Sequence, residues 1–303
     1  NFSCIMANVI KIKKGLDINL KGKASDVLLN GGKSESYAIV PDYYNGILPK
    51  VVAKVGEKVK AGSVLMIDKN RPEIKFVSPV SGEVTAVNRG EKRKVLSIVV
   101  KPDAQIEYEE FGKKNVASLQ GAEVKEVLLN AGMWPFIKQR PYDIVAAPLD
   151  TPRDIFVSAF YSAPLAPNFD FIVKGQEADF QTGLNALAKL TNGKVYVGVR
   201  SGSVVSGMKG VEIVEVEGPH PAANVGVQIN HIKPVNKGEV VWTVNPADVI
   251  VIGRLFNKGV ADFSRMVAIT GSETTERGYV KTISGCTIKS LVNGKVLGQE
   301  HIR

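Results

Sequence analysis

Thiols and imidazoles are scarce in this sequence. Cys4 and Cys286 are its two cysteines, and His220, His231 and His301 its three histidines, in 303 residues. An iron–sulfur cluster takes about four thiolates, so the chain cannot hold one alone, and two cysteines make no disulfide framework. That usage fits a reducing compartment. The histidines lack the spacing, and the cysteine or carboxylate company, of a zinc site; they read as surface or satisfied buried side chains. Long apolar runs are missing as well. The longest weakly charged stretch, residues 155–169, contains Pro164 and Pro167, and a membrane-spanning helix needs roughly 20 consecutive apolar residues. A basic segment followed by an apolar one does not open the chain, so secretion is not expected. Residues 1–5 precede Met6 and are read as upstream sequence, outside the fold. Nucleotide and nucleophile signatures are also absent: no GxGxxG after a strand, no GxxxxGK[ST], no GxSxG elbow. Enzyme chemistry internal to the chain has no sequence signal.

The composition that remains is that of an ordinary globular protein, 44% hydrophobic and 23% charged with 29 glycines, at a length that favours two or three compact units. The net charge of +9 is unevenly placed. Residues 1–101 carry 18 Lys and Arg against 9 Asp and Glu, whereas residues 102–303 carry 21 of each. A solvated lysine-rich surface explains this, and so does docking to an acidic partner or anionic lipid. Nucleic acid is not expected, because the basic residues are not interleaved with stacking aromatics.

Residues 37–101 contain a quasi-repeat. One arm runs from Pro41 and Gly46 through PKVVAKV and Gly56-Glu57-Lys58 to the strand SVLMI; the other runs from Pro79 and Gly82 through EVTAV and Gly90-Glu91-Lys92 to residues 95–100. Two such arms predict a small pseudo-twofold β-sandwich. The order VGEKVKAGSVLM, then SPVSGEV, resembles the biotinyl/lipoyl-type barrel-sandwich hybrid domain. A carrier function would modify Lys69 at the hairpin tip. Here Asn70, Arg71 and Pro72 lengthen that tip and suit a fixed turn, so the expectation is an unmodified structural domain.

The acidic residues 107–110 and Gly112 read as a linker. Val124, Val127, Leu128 and Ala131 then form the stripe of a helix over residues 123–131. Residues 143–147 and 155–160 read as buried strands, residues 177–190 as a helix stopped by Asn192-Gly193, and residues 194–199 and 211–216 as strands. Asn245-Pro246 caps a helix running through Phe256. This alternation predicts a three-layer α/β domain over about residues 120–260. From Ser264 the segments RMVAITG, GYVKTISG and CTIKSLVNG read as strand and turn, the start of a small β-grasp-like module in a longer natural chain.

That order of domains resembles the flavin- and NADH-binding subunit of respiratory complex I and the C subunit of the Rnf complex. In those relatives a GxGGAGFP segment cradles flavin phosphate with backbone N–H groups. The corresponding residues here are 130–138, NAGMWPFIK, in which Met133 and Trp134 stand where glycine allows close backbone approach. Residues 158–162 replace the acidic segment of those relatives, and the cluster cysteines are missing. A closer resemblance is to the A-subunit family of bacterial sodium-translocating NADH:quinone reductases. It rests on five stretches: IKIKKGLDINLKG, GMWPFIKQRP, IFVSAFYSAPLAP, GPHPAANVGVQINHIKPVNKGEVVWTVNPADVIVIGRLF and RMVAITGSETTERGYVKTISG. In the third, Tyr161-Ser162-Ala163-Pro164 departs from an Asp-Thr-Asn-Pro-type sequence found in many family members.

The resemblance implies a multidomain α/β chain. Residues 6–110 would hold the barrel-sandwich hybrid (about 37–101), residues 111–260 a Rossmann-like domain with a degenerate flavin site, and residues 261–303 a truncated β-grasp-like SLBB module. It also implies a peripheral subunit on the cytoplasmic face of the bacterial inner membrane, within a complex that oxidises NADH, reduces quinone and exports sodium. NADH, the flavins FAD and FMN and the iron–sulfur centres would belong to the other subunits, among them an integral membrane partner, with no redox cofactor or metal in this chain. Contact with ubiquinone or menaquinone would use an apolar cleft with a few donors, for which Trp134, Phe136, Lys138, Arg140, His220 and His231 are the candidates.

Overall fold

The computed structural model describes residues 8–298. Cys4, His301 and residues 1–5 lie outside them. Among the described residues the first element is β1 (Asn8–Lys11), after which they run without helix or ladder to residue 36. Seven strands follow: β2 (Tyr37–Ile39), β3 (Pro49–Val51), β4 (Lys58–Val59), β5 (Val64–Asp68), β6 (Lys75–Val77), β7 (Gly82–Arg89) and β8 (Val95–Pro102). They form two sheets, β2-β8-β7-β4 and β3-β5-β6. Each arm of the quasi-repeat contains an antiparallel pair, β3 with β5 and β7 with β8, in different sheets, and β4 of the first arm crosses over to pair with β7 of the second. Leu65, Met66, Phe76, Val84, Ile98 and Val100 are buried between the sheets, so apolar alternation closes the expected barrel-sandwich.

The turn after β5 is clamped. Buried Asp68 accepts the backbone N–H groups of Leu48 (3.0 Å) and Asn70 (3.2 Å) and the Nε of Arg71 at 2.8 Å. The same guanidinium donates to the carbonyls of Val145 (3.1 Å) and Gly46 (3.0 Å). Lys69 is exposed on this turn, which is tied to the next region instead of projecting as an arm.

The second region contains α1 (Gly121–Asn130), β9 (Ile137–Arg140), β10 (Ile144–Val145), β11 (Ile155–Ser158), α2 (Phe169–Val173), α3 (Glu177–Ala188), β12 (Val195–Val199), β13 (Glu212–Glu217), α4 (Val225–Ile232), β14 (Val241–Val244) and α5 (Pro246–Lys258). Its sheet runs β1-β13-β12-β11-β14-β9-β10. The first five strands are parallel; β9 runs antiparallel to β14, and β10 to β9. Every residue of β11 and β14 is buried, as expected of strands covered on both faces. Ile155 and Val157 join the core that contains α3 and α5, while Phe156 packs with Ile229 of α4; alternate side chains therefore meet helices on opposite faces. Helices α3 and α5 cross on glycine: a Cβ on Gly253 would stand 1.7 Å from the Asp179 carbonyl, and one on Gly183 would stand 2.0 Å from that of Val249. Asn245 caps α5 by accepting the Ala247 N–H, Pro246 opens it, and left-handed Gly259 (φ 78°) ends it, as its terminal residues predicted.

The last region pairs β15 (Ser264–Ile269) with β16 (Gly278–Ile283), antiparallel, followed by α6 (Ile288–Val292). The segment CTIKSLVNG is therefore helical where strand and turn were expected. Thr287 caps it by accepting the Ser290 N–H, and Leu291 is buried one turn on; the cap and this anchor outweigh the β-branched residues.

Candidate functional site

The parallel strands turn back at one point. From β11 the chain steps outward to β12 and β13, then returns to place β14 on the other side of β11. Connections leaving such a switch point diverge, and a crevice opens beyond the carboxyl ends of the two central strands. A cavity of about 290 Å³ lies there, lined by Phe136, Lys138 and Arg140 from the β9 segment, Ser158 and Tyr161 from the end of β11, and Thr243 and Asp248 around the start of α5.

Its electrostatics are mixed. Lys138 Nζ stands 5.2 Å from the centre of the Tyr44 ring. Burial lowers its pKa, against the opposing pull of Asp143 and Asp248. Arg140 Nε is buried without a hydrogen-bond partner; Asp143 Oδ1, at 3.4 Å, supplies charge but not an aligned acceptor. Asp248 is held by Arg265 Nη2 at 2.5 Å, and that guanidinium lies 5.3 Å from the Phe136 ring centre. Tyr161 donates to Asn245 Oδ1 at 3.2 Å. Burial, reinforced by Asp248, pushes the phenols of Tyr44 and Tyr161 up to about 12, so both are neutral donors at physiological pH. On the other side of Phe136 lies an apolar slot of about 160 Å³ lined by Ile39, Tyr44, Phe76 and Phe263.

Three of the six predicted residues, Phe136, Lys138 and Arg140, share this cavity. Trp134 does not line it: its indole is buried edge-on to Trp242, centroids 5.4 Å apart, and donates to the Ala146 carbonyl at 2.8 Å. It fills the core and satisfies its one donor there. His220 lies beside the cavity, its Nδ1 3.0 Å from Ser162 Oγ, which in turn accepts the Ala223 N–H. His231 is exposed on α4, its Nδ1 2.9 Å from the Val227 carbonyl of its own helix, and lines neither the cavity nor the slot. Tyr44, Tyr161, Asp248 and Arg265 were not foreseen; the helix-start signal at Asn245-Pro246, three residues before Asp248, was the only local hint.

The segment that would cradle a flavin phosphate is committed elsewhere. Residues 137–140 pair with residues 241–244 in the sheet, so their backbone groups serve the ladder. Gly132 (φ 67°) is packed against Val77 of the sandwich, where a Cβ would meet Val77 Cγ1 at 2.5 Å. The residues present therefore do not fit a phosphate nest at this position. Among the described residues no group of three or more His, Cys, Asp or Glu side chains could hold a metal ion.

A sandwich, a doubly wound sheet with a polar cavity at its switch point and a small C-terminal β–α unit define a multidomain α/β protein of distinct modular order. Family models match that order: the NqrA N-terminal barrel-sandwich hybrid domain over residues 10–103, the NqrA second alpha/beta domain over 119–261 and the NQRA C-terminal domain over 266–303. Similar proteins include the A subunit of the Na(+)-translocating NADH-quinone reductase of Hahella chejuensis, 37% identical over 95% of this chain and 65% of that one. Its counterparts from Neisseria meningitidis (35% identical, 97% and 66%) and Photorhabdus laumondii (35%, 95% and 65%) are comparably similar. The chain belongs to the NqrA family, the A subunits of Na(+)-translocating NADH-quinone reductase. It spans about two thirds of the length of these relatives, 65–66%. A slighter likeness, TM-score 0.36 at 9% identity over 64% of this chain and 45% of the other, is to an NAD+-reducing [NiFe]-hydrogenase.

Proposed function

We propose that this chain acts as a subunit of a sodium-pumping NADH:quinone oxidoreductase, with a structural and assembly role and a quinone contact at the switch-point cavity. The observation that carries the subunit reading is the succession of three matching domains in chain order, together with relatives named for that complex. The finer architecture proposed is a biotinyl/lipoyl-like sandwich within residues 6–110, a Rossmann-like domain over 111–260 and the start of a β-grasp-like SLBB module over 261–303. No helix among the described residues is long and apolar enough to cross a membrane, and the subunit is proposed to sit peripherally on the cytoplasmic face against an integral membrane partner. NADH, flavins and iron–sulfur centres are assigned to the other subunits, and the isolated chain to no turnover of its own.

The quinone contact rests on the lining of the cavity. A quinone is a flat, apolar ring with two carbonyl acceptors. Phe136 and Tyr161 offer ring faces, Lys138 offers an ammonium without an acceptor among the described residues, and the slot beyond Phe136 takes an apolar substituent. Affinity purification of the tagged chain from native membranes tests the subunit reading, with membrane-bound partner subunits expected to accompany it; their absence would remove it. Photo-crosslinking with a quinone analogue is expected to label residues 136–140 or 158–161, and labelling confined to distant peptides would remove the quinone contact alone.

A further inference from the structure

The segment between β1 and the sandwich is irregular yet firmly placed. Ile12 N–H bonds the Glu217 carbonyl and Leu16 N–H the His220 carbonyl, each at 2.9 Å, and the Gly271 N–H bonds the Gly22 carbonyl at 2.8 Å. Gly15 lies so close to His220 that a Cβ would stand 2.1 Å from its carbonyl oxygen. Between these anchors Leu16, Ile18 and Leu20 expose 70%, 55% and 55% of their surface. Three large apolar side chains within five residues, held outward by a pinned backbone, are not scattered surface hydrophobics. Lysines flank them on both sides. Lys13, Lys14, Lys21 and Lys23 are all exposed, and among the described residues none has an ion-pair or hydrogen-bond partner. Asp17, the one acid within residues 13–23, accepts the His220 N–H, and Asp26 accepts the Asn168 side chain; Glu35, the segment's third acid, lies twelve residues beyond Lys23.

The segment lies at the edge of the sheet that carries the cavity. Ile18 and Leu20 share a recess of about 390 Å³ with Pro164 and Leu165 of the loop after β11. Phe160 and Tyr161 line both this recess and the switch-point cavity. We propose that residues 13–23 form a rim that docks on an anionic lipid surface, with Leu16, Ile18 and Leu20 entering the interfacial layer and the four lysines meeting lipid phosphates. An acidic protein segment would answer the lysines but leave three apolar tips in water. A lipid interface takes both, since lysine stems lie along the apolar boundary while their ammonium groups reach the headgroups. The proposal deepens the peripheral reading above and rests on it: docked this way, the carboxyl edge of the sheet, with its adjoining cavity, faces the bilayer.

Vesicle co-sedimentation of the purified chain tests this, using phosphatidylglycerol–phosphatidylethanolamine vesicles against phosphatidylcholine vesicles, at low and high salt. Binding to the anionic vesicles is expected at low salt. Both Leu16→Ser/Ile18→Ser/Leu20→Ser and Lys13→Gln/Lys14→Gln/Lys21→Gln/Lys23→Gln should weaken it by about tenfold or more. The control Lys50→Gln/Lys54→Gln/Lys60→Gln/Lys69→Gln removes the same charge from the sandwich and should change binding by less than about threefold. Unaltered thermal melting verifies that the variants fold. In Ile18→Trp, brominated lipid should quench the added fluorescence. Failure to bind anionic vesicles, equal binding to phosphatidylcholine, an equal loss in the control, or an unquenched tryptophan would each overturn the proposal. Partner subunits that still copurify while vesicle binding fails would assign docking to protein contacts, leaving the subunit reading intact.

Discussion

Arg254 is buried within α5 and joins three parts of the chain. Its guanidinium donates to the carbonyls of Asp262 (3.0 Å) and Ser264 (3.1 Å), which lead into β15, and to Gln176 Oε1 at 2.6 Å, at the head of α3. It also faces Asp262 Oδ1 at 3.3 Å and Asp179 Oδ2 at 3.8 Å. Arg254→Met keeps much of the stem volume and removes every donor. Losing one partner of a buried ion pair costs about 3–5 kcal/mol, because the other charge is left behind. Asp262 keeps Lys258 Nζ at 3.0 Å and the Ser264 hydroxyl, which reduces the expected cost to about 2–4 kcal/mol. At this chain length that is roughly 3–6 °C in melting temperature, readable by circular dichroism and urea titration. Asp262→Asn in the same background should be sub-additive by about 1 kcal/mol. The acid dependence carries a sign. Burial alone would raise the Asp262 pKa, but Ser264, Arg254 and Lys258 together hold it below its ordinary 3.8. Its stabilising contribution is whole at neutral pH and is lost as pH falls from about 4 through the folded pKa. Without Arg254 that loss should be shallower. An unchanged midpoint, or full additivity with Asp262→Asn, would refute the reading that this guanidinium ties α5 to its neighbours.

Three further outcomes are expected. Intact mass spectrometry should find Lys69 unmodified, and a lipoyl- or biotinyl-sized increment would contradict the fixed turn held by Arg71. Trp134→Ala should cost about 3–5 kcal/mol in urea titration, since it empties the core beside Trp242 and strands the Ala146 carbonyl; a loss below about 1 kcal/mol would remove it from the core. Asp154 is buried, and although burial raises its pKa, Lys233, the Lys194 N–H and Arg153 outweigh that and lower it; Asp154→Asn should destabilise at neutral pH and progressively less below about pH 4, whereas a pH-independent difference would count against the charge assignment.

The parts of the fold that the sequence disclosed are those specified locally. The α5 boundaries follow from Asn245, Pro246 and Gly259, and the α3 face from Phe180, Leu184 and Leu187. The two arms of the sandwich could be paired because each carries its own turn residues and period-2 pattern. By contrast β14, VWTV, is buried on both faces and has no period to read, while β9, IKQR, is polar enough to pass for a loop. Both owe their conformation to pairing with each other across about a hundred residues of chain. The site divides the same way. Residues 136–140 were identified as one contiguous stretch, whereas Tyr44, Asp248 and Arg265 come from three distant segments and meet only after folding. Trp134 was taken for a candidate because nothing in the sequence announces Trp242 as its partner.

What the proposed quinone site would select follows from how the charges of the cavity are shared out. Arg265 comes from the C-terminal strand pair and engages Asp248, at the start of α5, while Arg140 and Asp143 face each other across 3.4 Å. Lys138 remains, half-buried over the ring of Tyr44, which the sandwich supplies. Because its neighbouring acids are engaged with arginines, the ammonium lacks an acceptor, and burial makes that state costly. A ligand that brings an acceptor oxygen to it, with a flat apolar body against Phe136, relieves that cost; a cationic ligand adds to it. The ligand preference proposed for the switch point would thus be set by three regions together, and a change that loosens either outer region from the sheet should alter the cavity without touching β9.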